Sequence, residues 1–292
     1  VMMPVVLTVT GGVLVLAGLQ DMFRTLLHPT GQGKLSSAVL AGLWRLSRAT
    51  KHRIGVVGPS AMLMVLLVWV LLQVCGWALV CLPHIPEGFT YSSGIDPGQY
   101  SDVVEVLYIS AVNLTTLGYG DVVATDPWIR AVSPLEALTG FALLTAGLTW
   151  FTQVYAPLSR RRALALQLKG LADTGYADSL HDTDPVAVTR VLDTLGADVG
   201  MVVVDFAQHS EGFYFRESRP ELSLAHQARY LLRLQAAAMQ ASEPAVRSSG
   251  GRLFVAVQQL STALDEGFIH LGAEPARVLA AYAAQHDPQG CA

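Results

Sequence analysis

One stretch constrains this chain more than any other. Residues 57–82 contain no charged side chain and are long enough to cross the hydrocarbon core of a bilayer. Inside lipid every backbone polar group must be satisfied within the segment, so such a run folds as a helix. Pro83 stops it. Two further runs have the same character. Residues 5–27 are apolar up to Asp21 and Arg24, with no basic region before them, which reads as a retained helix rather than a cleaved leader. Gly11, Gly12 and Gly18 suit close helix packing in lipid. Residues 132–155 open on Ser133-Pro134, a helix-start pattern, and carry only Glu136 as a charge. The expectation is an all-α membrane protein with three spans.

Composition divides the chain. Only 14% of residues are charged, and the apolar ones crowd into the first half. Beyond Arg160 polar and apolar residues alternate as in a soluble helical domain. Net charge is −4 without a basic stripe, which gives nucleic acid no footing. Cys75, Cys81 and Cys291 make neither a disulfide framework nor a metal-binding spacing.

Loop charge sets the direction of the spans. Lys34, Arg45, Arg48, Lys51 and Arg53 separate the first two runs, and Arg160, Arg161 and Arg162 follow the third. Residues 54–129 contain no Lys or Arg, yet carry Glu87, Asp96, Asp102, Glu105, Asp121 and Asp126. The expected arrangement is an outer N-terminus, a multi-pass plasma-membrane protein and a cytoplasmic C-terminal half. Between the first two runs, Leu35, Val39, Leu43 and Leu46, with Trp44 adjacent, make an apolar side beside Arg45, Arg48 and Lys51. That pattern fits a helix in the inner-leaflet interface or a linker helix packed on protein. No span carries the regularly spaced arginines of a voltage sensor.

Between the second and third spans, residues 103–114 form an apolar segment of about a dozen residues, too short to cross alone. It breaks into Thr115-Thr116-Leu117-Gly118-Tyr119-Gly120-Asp121. Backbone that enters the membrane and returns is tolerated only where it is buried in protein or lines a water-filled path. A cation stripped of water needs oxygen atoms in its place. Successive carbonyls supply them if glycines allow the required dihedrals. Thr116 adds a hydroxyl, and the preceding helix aims its negative end at the path.

Thr115 to Asp121 resembles the selectivity filter of prokaryotic potassium channels. The resemblance covers residues 60–155. It implies an outer helix (57–82), a pore helix and filter (102–121) and an inner helix (131–157), together a pore domain at 57–158. Residues 1–28 would be an extra transmembrane helix, 29–56 a linker helix and 159–292 an all-helical cytoplasmic domain. The resemblance also implies an ion-binding filter of Thr116, Leu117, Gly118, Tyr119 and Gly120. The permeant potassium would sit at the carbonyls of Thr116 to Tyr119 and at the Thr116 hydroxyl. Thr115, Asp121 and Tyr108 would support the filter, with Tyr108 the donor to Asp121. Position 117 is Leu where the family commonly has Val, and Val112 stands where some relatives carry a glutamate. One loop per chain implies a homotetramer. Gly140 or Gly147 would be the gating hinge, or else serve close helix packing. Leu144, Leu148 and Thr152 recur at helical spacing and would line the cavity, or else face lipid.

In the second half, Asp184-Pro185 reads as a helix cap and first position. Helices are expected at 164–171, 186–195, 199–208, 222–239, 253–264 and 275–284, punctuated by Gly212, Pro220, Pro244 and Ser248-Ser249-Gly250-Gly251. His181-Asp182-Thr183-Asp184 reads as a solvated turn rather than a metal site. His209, Glu211 and His226 read as ordinary side chains before pH sensors, and Phe213-Tyr214-Phe215 as core or subunit interface. No nucleotide-binding loop or nucleophile motif appears, so neither an enzyme nor a cofactor is expected, and the gating ligand is unassigned. Two other readings stay open: a less selective cation channel, and a membrane-anchored helical scaffold without ion flux.

Overall fold

The computed structural model describes residues 2–27, 33–50 and 57–286. They divide into two compact units, one of residues up to 41 with 61–152, the other of 42–60 with 153 onward.

The first unit contains α1 (Met2–Leu27), the start of α2 (Lys34–Ala49), α3 (Val57–Cys81) and α4 (Asp102–Leu114). It ends on α5 (Pro127–Gln153). Three helices are long and apolar enough to cross a membrane, spanning Met2–Leu27, Val57–His84 and Pro127–Asp173. The described chain is thus an all-α membrane fold. Its one small sheet pairs β1 (Phe89–Tyr91) with β2 (Val122–Ala124) in antiparallel register, Thr90 opposite Val123.

α1 lies against α3 because two of its glycines remove the side chains that would hold the helices apart. A Cβ at Gly11 would overlap the Gly76 carbonyl, and one at Gly18 would press on Gln73. Gly12, read with them, has open space around it. Polar ties complete the seam. Gln73 Nε2 donates to the Val15 carbonyl at 3.1 Å, and Trp69 Nε1 donates to Asp21 Oδ2 at 3.0 Å. Asp21 also accepts the backbone N–H groups of Leu35 (2.8 Å) and Ser36 (3.1 Å). It therefore satisfies amides at the start of α2 that have no partner within the helix. The buried side of α2 is Ser36, Leu40, Trp44 and Ser47, while Leu35 and Leu46 are exposed.

The third span starts earlier than its sequence suggests. Asp126 Oδ1 accepts from the N–H groups of Trp128 (2.8 Å) and Ile129 (3.1 Å), which caps a helix with Pro127 at its first position. Pro134 lies inside α5, and Ser133-Pro134 is not the helix start.

The second unit contains α6 (Tyr155–Asp173), α7 (Pro185–Gln208), α8 (Leu224–Met239), α9 (Pro244–Leu264) and α10 (Pro275–His286). α7 and α9 form its centre through Val188, Leu192, Leu195, Val199 and Val202 against Leu253, Val257 and Leu260. α7 runs unbroken where the sequence divides it in two, because its apolar stripe continues in register across Gly196. Ser248-Ser249-Gly250-Gly251 is not a break either, but lies within α9. A Cβ at Gly250 would stand 2.9 Å from that of Ala238, so the small residue admits α8 rather than ending the helix. Asp184 caps α7, its Oδ2 accepting from Ala187 N–H at 3.1 Å. Phe213 is buried, stacked on Phe268 at 4.1 Å, with Trp44, Tyr214, Tyr282 and His286 around it. That cluster is core.

Candidate ion-conduction site

α4 is 13 residues long and opens with Asp102 and Glu105 in its first turn, where a helix favours negative charge. At its other end the chain stays tied to the helix for three more residues. Thr115 N–H donates to Ala111 O, Thr116 N–H to Asn113 O at 2.9 Å and Leu117 N–H to Val112 O at 3.0 Å. Thr115 Oγ1 returns to Ala111 O at 2.7 Å.

The backbone then takes an unusual course. Thr116 has φ 55°, Gly118 55° and Gly120 74°, while Leu117 and Tyr119 between them keep negative φ. Alternating handedness of this kind turns consecutive amide N–H groups to one side of a chain, and so consecutive carbonyls to the other. Glycine reaches φ > 0 freely. Thr116 does not, since a β-branched residue there pays on the order of 1–2 kcal/mol. Strain of this sort persists only where the surroundings enforce it.

After Gly120 the chain is pinned to the hairpin. Ser92 Oγ donates to Gly120 O at 3.2 Å and Ser92 N–H to Asp121 O at 2.8 Å. The Gly120 carbonyl therefore faces Ser92, unlike the four before it in the sequence-based assignment. The Tyr108 hydroxyl, on α4, donates to Asp121 Oδ2. Leu117 and Tyr119 are 54% and 68% exposed in the single chain.

An apolar hollow of about 600 Å³ lies between α3, the end of α4 and α5, bordered by Thr115, Thr116, Phe141, Leu144 and Leu148. Thr152 is exposed further along α5 and does not border it. Gly140 and Gly147 both have packing partners. A Cβ at Gly140 would overlap the Leu114 carbonyl, and one at Gly147 would meet Leu66 Cδ2 at 2.8 Å.

Behind α4 sits a polar group that sequence reading passed over. Glu136, only 1% exposed, accepts from Ser110 Oγ at 2.6 Å and from Asn113 Nδ2 at 3.2 Å. A single charge in an apolar span was the available signal. Its partners on α4 could not be read without knowing how α5 is rotated. Among the described residues no group of three or more His, Cys, Asp or Glu side chains could hold a metal.

A helix pair bracketing a short re-entrant helix and a glycine-rich return defines the class of a membrane pore domain. Residues 63–156 match the family model described as "Ion channel" (Ion_trans_2), so this segment is similar to the ion-channel domains of that family. A curated relative is "Uncharacterized membrane protein YdjJ" of Bacillus subtilis (strain 168), 24% identical over 172 residues. The alignment takes in 57% of this chain and 49% of that protein, so the chain spans about half the length of the relative. No solved structure matches.

Proposed function

We propose that this chain is the subunit of a homotetrameric, potassium-selective channel that conducts passively. The carrying observation is the left-handed backbone at every second residue of Thr116-Leu117-Gly118-Tyr119-Gly120. Four such strands around an axis would offer rings of carbonyls, at Thr116 to Tyr119, that replace the hydration shell of potassium. Gly120, its carbonyl bonded to Ser92, closes the filter at the hairpin. Tyr108 and Asp121 brace that outer end, and the acidic residues of 87–126 raise the local cation concentration.

In this reading the exposed side chains of Leu117 and Tyr119 are covered by neighbouring subunits. Leu144 and Leu148 lie on the exposed side of α5 and face the cavity, Thr152 lies beyond them towards its exit, and Gly140 or Gly147 gives that helix its bend. The loop charges support a plasma-membrane protein with α1 starting outside and the second unit in the cytoplasm. Conduction needs no covalent step and no cofactor beyond the permeant ion.

The test is potassium flux into liposomes, wild type beside the double substitution Gly118→Ala with Tyr119→Ala. Wild type should load potassium and the double variant should not. Equal flux in both would remove the filter assignment. Absence of flux in both would favour a scaffold role for the helical half.

A further inference from the structure

Among the described residues Glu136 is the most deeply buried carboxyl group of the pore domain. It lies within α5, is almost fully buried, and forms no salt bridge among the described residues. An ionisable group in a membrane span is costly, and such groups are retained where they serve function. Its surroundings indicate which. Both carboxyl oxygens are directed at α4, one to Ser110 and one to Asn113. Ser110 is itself 3.0 Å from the Val74 carbonyl of α3. The three helices of the pore domain therefore meet at one polar node.

The node sits where it can set filter geometry. Asn113 immediately precedes Leu114, and the Asn113 carbonyl accepts from Thr116 N–H, the strained residue at the start of the filter. One turn along α5 from Glu136, Gly140 rests against the Leu114 carbonyl. The side chain of Glu136 thus holds the last turn of α4 at two points, in rotation and in height, directly under Thr116. Apolar contacts elsewhere on α4, such as Val106 and Ile109, pack it into the core shared with the hairpin.

We propose that Glu136 is a positioning residue for the selectivity filter, acting through Ser110 and Asn113 to fix the C-terminal turn of the pore helix. The proposal rests on the channel reading above. Glu136 touches no ion, and its effect on selectivity runs through the backbone at Asn113 and Thr116.

The experiment is planar-bilayer recording of the reconstituted full chain with potassium on one side and sodium on the other, reading the permeability ratio. Variants are Glu136→Gln, Glu136→Asp and Glu136→Ala, with subunit assembly checked by crosslinking. Glutamine keeps the length, accepts from Asn113 and donates to Ser110, whose hydroxyl then serves Val74. It should keep the wild-type ratio. Aspartate keeps the charge but withdraws from both partners. Its ratio should fall about tenfold, the scale of one lost buried hydrogen bond to a charged group. Alanine should do the same or more, and if it fails to assemble the aspartate variant carries the test. A mere packing role would lower the amount of assembled channel and leave the ratio of the surviving channels unchanged, and that result overturns the proposal. Loss of selectivity in the glutamine variant equal to that in aspartate also overturns it, since length and hydrogen bonding would then not be what matters. A wild type without potassium preference would instead sink the channel reading, and the proposal with it.

Discussion

Thr116, Gly118 and Gly120 share left-handed backbone, but they reach it at different cost. An alanine at Gly118 would be held at φ 55°, where a Cβ costs on the order of 1–2 kcal/mol. In a filter the relief of that strain is rotation of the peptide plane, which carries a carbonyl away from its ring. Gly118→Ala alone should therefore abolish potassium flux while leaving the chain folded, as read by circular dichroism beside a flux assay. Tyr108→Phe removes the donor to Asp121 and should leave assembly intact while shortening the open lifetime in single-channel records. His209 gives a pH prediction in the second unit. The Glu211 carboxylate, 3.6 Å from Nδ1, pushes its pKa above the usual histidine value, aided by Asp205 and opposed by burial and Arg160. A raised histidine contributes stability in full below its unfolded value, and that contribution is lost as pH rises through the folded one. The melting temperature of the full chain in detergent should thus decline as pH rises above the ordinary histidine value of 6.5, and His209→Gln should flatten the decline. At this scale the sequence told much, because glycine at a fixed spacing has few uses. Tyr108 and Asp121 were legible through the family resemblance. The contacts of Ser92 and Glu136 were not, because each is made with a partner distant in the chain.

At the scale of elements, long apolar runs were legible and small residues were ambiguous. Spans declare themselves by length, and α1, α3 and α4 fall within a few residues of their expected bounds. The start of α5 was misplaced because two Xaa-Pro pairs, Asp126-Pro127 and Ser133-Pro134, offer equally good helix starts locally. Only the hairpin that delivers the chain to Asp126 decides between them. Ser248 to Gly251 misled for a related reason. Small residues mark turns in a polar context and close contacts in a packed one, and the difference lies in the partner helix. Gly250→Leu should force α8 and α9 apart and destabilise the full chain by roughly 1–3 kcal/mol, the usual cost of overpacking, measurable as a lower melting temperature. Gly140→Val should push the Leu114 carbonyl aside, so flux should fall far more than with Gly147→Val, where a flexible leucine side chain can yield.

The whole molecule presents apolar and aromatic side chains between Thr116 and Gly120 and along α5 that the single chain leaves uncovered, among them Leu117, Tyr119, Phe141, Leu144 and Leu148. Lipid can cover some of these, but a filter strand cannot face lipid with its backbone unpaired. Crosslinking of the purified protein in mild detergent should end at a four-chain species. The family match covers the pore segment, and the helical second unit lies beyond it. Its helical character was readable from periodicity, but its task was not, since core residues record packing and not partners. The central claim is best tested by the reversal potential of the reconstituted channel with potassium and sodium on opposite sides of a bilayer. A potassium-selective pore gives a potential close to the equilibrium potential of potassium; a potential near zero, with equal passage of both ions, would contradict it.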